Sequence, residues 1–590
     1  MLQIITPFKS PHFRQGVIFG NIASINIYPF IGVDLVMNIS AEKQAQILKM
    51  AADFNFYGKR LRATKLEVCD DISKAVYDTP KHSTAICDWL EANKPAKPKA
   101  AKAVKAIKND DRPEAAGIVS STVEQWEVKS GRRFILTSIQ NNTFPHKNFL
   151  KALEQYASYY GAELLVSKFI YNKNGFQNGE GGEKIKYDPA FDKYICEKNV
   201  FLNNRRFAFM AEINVLPTAD YPLSGFAETA TALNIEGLAI GHAKITAESV
   251  PALKGEVVRR MYSTGTATLK NYIQQKAGQK AEALHNYGAL LVEFDDDGEF
   301  FVRQLETMDE SGMFYDLNVC AVPTGCFKTS DHVLGLQYGD IHAEKLDDEC
   351  AVASWASENS LLDILKPKYQ FIHDVHDFTS RNHHNRASGV FLAKQYAAGR
   401  DKVIDDLIDT GRVLESMERE FSQTIIVESN HDLALSRWLD DRNANIKDDP
   451  ANAELYHSLN AAIYAAIAKQ DDTFNVLDYA LRNVAGCEFN AIFLTTDQSF
   501  KIAGIECGVH GHNGINGSRG NPKQFKKLGR LNTGHTHTAS IYGGVYTAGV
   551  AGSLDMGYNV GASSWTQTHL ITYANGQRTL IDFKNGKFFA

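Results

Sequence analysis

Val333-Leu334-Gly335-Leu336-Gln337-Tyr338-Gly339-Asp340-Ile341-His342 is the stretch on which the reading of this 590-residue chain turns. The run Val333 to Tyr338 is mostly apolar and has the length of a buried strand. It ends in an Asp and a His two residues apart, and in extended chain two such side chains point the same way. A hard carboxylate oxygen beside an imidazole nitrogen suits a divalent transition metal such as manganese, iron, zinc or cobalt. A lone D-x-H is usually ordinary turn sequence. Recurrence gives this one its weight.

The pattern of an apolar strand followed by polar ligands returns four more times. Tyr369-Gln370-Phe371-Ile372 delivers His373-Asp374-Val375-His376-Asp377. Thr424-Ile425-Ile426-Val427 delivers Glu428-Ser429-Asn430-His431-Asp432. A strand expected around Ile502 to Ile505 leads to Gly508-Val509-His510-Gly511-His512, and Leu531-Asn532-Thr533 precedes Gly534-His535-Thr536-His537. Ligands at the carboxyl ends of strands that alternate with helices are how layered α/β enzymes build their sites, so the expected fold class is α/β.

In this order the five blocks resemble the calcineurin-like metallophosphoesterase superfamily, whose pattern is D-x-H, G-D-x-x-D, G-N-H-[DE], an isolated His, and G-H-x-H. The resemblance covers residues 331–590 and implies a four-layer α-β-β-α fold, a β-sandwich flanked by helices. His373 and Ser429 stand where the family usually has glycine; neither is a ligand position, so the departure bears on loop geometry. Carried over block by block, the resemblance implies that Asp340, His342, Asp374 and His537 hold one divalent cation. Asp374, Asn430, His510 and His535 would hold the second, with Asp374 bridging and His512 the alternative to His510. Mn2+ is the first choice of metal and Mg2+ the second. Two such cations clamp a phosphoryl group and activate a water, and a neutral Asn430 oxygen limits negative charge where an anion must bind. His431 resembles the family's leaving-group acid or phosphate-oxygen donor, oriented by Asp377 or by Asp432. Arg381, His383, His384, Arg386 and His512 crowd these blocks as candidate substrate contacts, with solvated-loop and outer-sphere roles equally open. Arg519, Lys523, Lys526, Lys527 and Arg530 lie between the last two blocks, where a basic rim would suit a polyanion.

Outward from this part, residues 1–93 read as a small accessory domain. It has β-like patches at Gly16–Phe19 and Ile31–Val36, a helix from Ala41 to Phe54 with Ile47, Leu48 and Ala51 at helical spacing, and a second helix ending near Trp89-Leu90. Residues 94–116, rich in Lys, Ala and Pro, read as a solvated tether. Residues 117–330 read as an α/β region of unassigned role, packed against or continuous with residues 331–590. It opens with a strand at Phe134–Ser138, a turn Asn141–Pro145 carrying the N-cap and a first-turn proline, a helix His146–Tyr160 closed by Gly161, and a strand Leu164–Val166. Asp295-Asp296-Asp297-Gly298 is turn chemistry in a hairpin rather than a calcium loop. Within 331–590, the spans of about 387–423 and 433–499 read as helical insertions, available as lids, nucleic-acid contacts or surfaces for a homo-oligomer.

A net charge of -6 does not advertise a nucleic-acid binder, so any such contact needs a local basic patch or a metal. Eight scattered cysteines without a C-x-x-C pair read as free thiols in a reducing compartment. No leader pattern and no apolar run of spanning length is present, so a soluble, cytoplasmic protein with no membrane partner is expected. Over the whole chain, Arg132 to Val166, Ala289 to Leu305 and Gly339 to His342 also resemble the pre-early host-DNA-degrading nucleases of large coliphages. That resemblance implies metal-dependent hydrolysis of DNA phosphodiester bonds early in infection, in the host cytoplasm. The other readings are a phosphatase or phosphodiesterase acting on a small nucleotide, and a non-enzymatic host-takeover protein that acts by binding. Retention of every ligand type together with His431 argues against the last, because buried polar groups without a task are costly.

Overall fold

The computed structural model describes residues 41–53, 69, 71–76, 86, 87, 90, 126–172, 184–382, 385–441 and 446–589. The chain forms two compact units, one of residues 14–113 and the other of 1–13 with 114–590. In the smaller unit the helix Ala41–Asp53 buries Ile47 and Ala51 together with Cys69, Ile72, Ile86, Cys87 and Leu90. Leu48, expected on the same face, is 38% exposed; one residue past Ile47 it is turned about 100° around the helix. The two β-like patches expected near the N-terminus and the tether 94–116 lie outside the described residues.

The larger unit is mixed α/β, and a six-stranded sheet positions the site. Its order is Ala491–Leu494, Gln423–Val427, Tyr369–His373, Val333–Gln337, Thr568–Tyr573, Arg578–Asp582. The first four strands run parallel, and the last two pair antiparallel. Alternate residues face opposite layers. Ile372, Ile426, Ile571 and Ile581 pack against helices, among them Val403–Met417 through Leu407 and Leu414. Phe371, Ile425 and Val427 pack the other way, onto Ile502, Ile505 and Cys507, and Leu570 and Leu580 pack onto Ile541 and Tyr546 of a second sheet. Burial on both faces is why these strands read as continuous apolar runs, and each fully buried Ile or Leu contributes roughly 1.5–3 kcal/mol. The layers are therefore helices, sheet, sheet, with the short helices Phe226–Ala232 and Pro522–Phe525 on the outer face of the second sheet.

The second sheet has eleven strands and joins both halves of the unit. One arm carries strands from Glu127–Lys129 to His242–Val250, and the other carries Ser540–Tyr542, Val545–Thr547, Leu531–Thr533, Ile505–Glu506 and Lys501–Ile502. The arms meet where Ile541 pairs antiparallel with Ala247. Residues upstream of 331 thus share a sheet with the strands that present His510, His535 and His537. A four-stranded sheet, ordered Phe300–Thr307, Tyr287–Phe294, Arg133–Gln140, Glu163–Phe169, carries the helix Lys147–Tyr160, which buries Phe149, Leu153 and Tyr156 and ends on Gly161 at φ 63°.

Three local expectations change. Pro145 is not in the first helical turn but forms a bridge with Thr268, and the cap is His146, whose Nδ1 accepts from Phe149 N. His146 N is tied to the Ala267 carbonyl, so the backbone turns helical one residue later. The strand expected at Ile502–Ile505 is a tight antiparallel pair, Lys501–Ile502 with Ile505–Glu506, turning through Ala503 and Gly504, both at positive φ. The span 433–499 holds the helices Ala434–Leu439, Ala453–Ala468 and Val476–Tyr479, but also the edge strand Ala491–Leu494. At the 295–298 hairpin, Asp295 Oδ1 accepts the Asp297 and Glu299 amides, while Lys587 pairs with Asp295 and Asp297.

All eight cysteines carry free thiols. No helix among the described residues is long and apolar enough to cross a membrane.

Candidate metal centre

Parallel strands place their carboxyl ends at one edge, and there the chain sets Asp340 and His342, then Asp374 and Asp377, then Asn430 and His431. The second sheet brings His510, His535 and His537 to the same edge. The ladder continues past the strand ends, His342 N donating to the Asp374 carbonyl at 2.8 Å. The turns are sharp: His342, Asp374, His535 and His537 have φ of 49°, 43°, 72° and 54°. Side-chain-bearing residues reach this left-handed region only where surrounding structure holds them, and such residues gather at functional sites. Gly339 has no room for a side chain, since a Cβ there would lie 2.6 Å from the Val550 carbonyl carbon.

Asp340, His342, Asp374 and His537 converge so that one ligand atom from each lies within 4.8 Å of the others. His342 Nε2 faces His537 Nε2 at 3.0 Å and Asp374 Oδ2 at 3.7 Å, and His537 Nε2 is 3.3 Å from Asp340 Oδ2. On the other side of Asp374, His510 Nε2 stands 3.4 Å from its Oδ2 and 3.2 Å from Asn430 Oδ1. The His535 ring lies 5.2 Å from the His510 ring, and its own amide donates to Asp340 Oδ2 at 2.7 Å.

Asp340 Oδ1 and Asp374 Oδ2 are fully buried and accept no hydrogen bond of good geometry; the nearest ring nitrogens are His510 Nδ1 at 3.9 Å and His510 Nε2 at 3.4 Å. Buried carboxylate oxygens need positive charge beside them, which the His510 ring or a metal cation can supply. The donor set fits one: hard oxygens and imidazole nitrogens suit a divalent first-row ion. Protonation fits the same conclusion. Burial opposes the charge on Asp374, but the His510, His431 and His342 rings outweigh it and hold the carboxyl well below its usual range. Burial lowers His342, and lowers His535 to about 4, so both rings are neutral at pH 7. Burial also works against a charged His510, yet Asp374 and Asp340 raise it to about 9. At pH 7 that ring is therefore protonated, beside Asp374 Oδ2 at 3.4 Å and Asp340 Oδ1 at 3.9 Å.

His431 Nδ1 lies 3.4 Å from both Asp377 Oδ1 and the Asp377 carbonyl. Asp377 also meets His342 Nδ1 at 3.0 Å and Lys345 Nζ at 2.7 Å. Asp432, the other residue considered for orienting His431, instead accepts the His376 amide at 3.1 Å, and Ser429 caps that turn through the Asp432 amide. His512 lies outside His510, its Nε2 3.0 Å from Asn513 Nδ2. Arg381 is a bidentate partner of Asp449, at 2.6 and 2.7 Å, and Arg386 pairs with Asp441 at 2.6 Å. Both guanidinium groups therefore clamp the second helical insertion. His383 and His384 lie outside the described residues. The basic run reaches the cleft at one end, where Gly520 N donates to the His512 carbonyl. Further on, Lys523 covers the rings of Tyr221 and Tyr542 at 5.0 and 4.8 Å, and Lys526 covers Tyr221 at 4.6 Å.

Sequence reasoning missed four residues at the centre. Glu344 accepts the Asp377 and Phe378 amides, and Lys345 neutralises Asp377. Both follow His342 directly, so their signal was adjacency to the first block. Tyr558 and Trp565 approach His431 and His537 from a loop without periodicity. Sequence offered nothing for them.

The fold and the site define a mixed α/β protein with a buried Asp/His cluster able to hold a metal ion. The chain belongs to the family of Protein A1 of Escherichia phage T5, with which it is 90% identical over 556 residues, 94% of this chain and 100% of that protein. No family model matches the chain, and no solved structure matches it.

Proposed function

We propose that the chain is a two-metal phosphodiesterase of the calcineurin-like metallophosphoesterase type that cleaves DNA, serving to degrade host DNA early in phage infection. The observation that carries this reading is the convergence of Asp340, His342, Asp374 and His537, one ligand atom of each within 4.8 Å of the others, at the carboxyl edge of a parallel sheet. Asp340, His342, Asp374 and His537 would hold one divalent cation, and Asp374, Asn430, His510 and His535 the other. Bound there, the cations supply charge neutralisation for a phosphodiester and an acidified water. The chain's own part is positioning and proton transfer. Asp377 engages His431 Nδ1, which leaves Nε2 as the ring nitrogen that carries a proton to the departing oxygen. Against the pull of burial, the His342 hydrogen bond and then Lys345 keep Asp377 ionised so that the orientation persists. The lysine–tyrosine patch beyond His512 supports a polyanionic substrate, and kinship with a phage protein supports a role in infection.

The test is purified protein with supercoiled plasmid in Mn2+, Mg2+ or EDTA, beside His431→Ala and Asp374→Ala. Cleavage that needs metal and is lost in both variants is the expected result. Metal-independent cleavage, or none in any condition with the protein folded, would overturn the reading. Turnover of a small chromogenic diester without plasmid cleavage would keep the metal chemistry and remove the DNA assignment.

A further inference from the structure

We propose that Tyr558 and Trp565 form an aromatic shelf that receives an unstacked nucleobase next to the scissile phosphodiester, so that unpaired DNA is preferred over intact duplex. The proposal rests on the phosphodiesterase reading and names the substrate form that the same site takes. Trp565 packs edge-on against His537, ring centroids 4.2 Å apart at 68°. Tyr558 stands 5.7 Å from Trp565, the two rings inclined at 64° so that Tyr558 is the stacking face and Trp565 its edge support, and 6.4 Å from His431, so the pair borders both a cluster residue and the proposed leaving-group acid. Tyr558 is nevertheless 43% exposed, and its neighbours Leu554 and Val560 are 45% and 86% exposed.

The loop that carries the shelf is held in place. The Tyr558 hydroxyl donates to Met556 Sδ at 3.0 Å, Asn559 bonds the Met556 amide and the Leu554 carbonyl, and Ser563 bridges to Ala252. A rigid loop presenting a half-open tyrosine beside a polar centre is what a binding surface requires, and nothing in the packing of the core calls for it. Lys345 Nζ lies 4.6 Å from the Tyr558 ring centroid, placing a cation between the ring and Asp377. The shelf therefore offers a half-exposed aromatic ring, one face of which is covered by a lysine already paired with Asp377. Aromatic stacking strengthens nucleic-acid binding roughly tenfold per base without regard to sequence, because every base has a π-face. Inside a duplex both faces of a base are already covered, so a base must leave the stack to reach the shelf, most cheaply where it is unpaired. Strand ends, gaps and single strands follow as the favoured substrates.

The experiment compares oligothymidylate with an abasic phosphodiester oligomer of equal length, by fluorescence anisotropy in Ca2+ and by cleavage in Mn2+. Wild type should bind oligothymidylate about tenfold more tightly. Tyr558→Ala should remove that advantage and leave the abasic oligomer unaffected, while Tyr558→Phe, which keeps the ring, should retain it. Wild type should also cleave oligothymidylate faster than a blunt duplex. Equal loss on both oligomers in Tyr558→Ala, equal weakness of the Phe and Ala variants, or no discrimination by wild type would each overturn the shelf. Discrimination through Tyr558 without cleavage of either oligomer would uphold the shelf and bring down the phosphodiesterase reading instead.

Discussion

Gly534 stands directly against the carboxylate of Asp340. A methyl group added at residue 534 would lie 2.3 Å from Asp340 Oδ1 and 3.3 Å from its Cγ. Ordinary contact between such atoms is a little over 3 Å, so in Gly534→Ala the carboxylate must withdraw by about 1 Å. It cannot rotate away freely, because its other oxygen accepts the His535 amide at 2.7 Å. Residue 534 lies outside the left-handed region, so the alanine itself brings no backbone strain. The damage falls on the donor set. A displacement of about 1 Å at a site of this kind costs on the order of 10- to 100-fold in metal affinity, about 1.4–2.8 kcal/mol. The assay is calorimetric titration of Mn2+ into EDTA-stripped protein, with thermal melts and circular dichroism to establish that the fold persists. Gly389→Ala is the control: its added methyl meets nothing within 4 Å, and its manganese affinity should equal wild type. A folded Gly534→Ala protein that binds manganese as wild type does would refute the argument, and with it the placement of Asp340 in the cluster.

Burial and the neighbouring Asp377 raise the Asp406 carboxyl to about 7, so between pH 4 and 7 the folded chain holds a proton that the unfolded chain has lost. Its contribution to stability is complete below the unfolded value near 3.8 and declines as pH rises through 7. Asp406→Asn keeps an oxygen for the Ser380 amide and cannot ionise, so it should melt like wild type at pH 4 and higher than wild type at pH 8; equal melting at both would refute this. Arg381→Met should lower stability by about 2–3 kcal/mol, read by urea denaturation, because it strips a bidentate pair and strands Asp449. On the DNA reading, Lys523→Ala with Lys526→Ala should reduce the slope of log affinity against log salt by about 2 with little change in sequence preference, whereas an unchanged slope would remove those lysines from the DNA track.

What could be read in advance was local. Asp340, Asp374 and Asn430 each follow a run such as Phe371-Ile372 or Ile425-Ile426-Val427 that is apolar on both faces, and a buried parallel strand ending in a polar ligand leaves its mark within ten residues. Partnerships across long separations left none. Arg381 looked like a substrate contact because Asp449, which engages it, is 68 residues away. The shared eleven-stranded sheet depends on Ile541 meeting Ala247, and no pattern within either segment announces the other. His146 rather than an Asn or Thr caps its helix because the Ala267 carbonyl fixes the entry of the chain, again from afar. Side chains that ring the centre without binding an ion, Tyr558 and Trp565, sit in an aperiodic loop where neither spacing nor charge marks them.

The long reach of these contacts also sets a timetable for synthesis. His342 and His537 face one another across 195 residues of chain, Asp340 bridges to Val550, and Gly339 N donates to His569. At a ribosomal rate of ~5–20 residues per second, the second half of the cluster trails the first by roughly 10–40 s. Until then the first residues of the cluster have neither their partner imidazoles nor the strand that closes over them. On the nuclease reading, translation itself acts as a safety catch: an unfinished or prematurely terminated chain is harmless to nucleic acid, and competence arrives only with the last strands of the polypeptide.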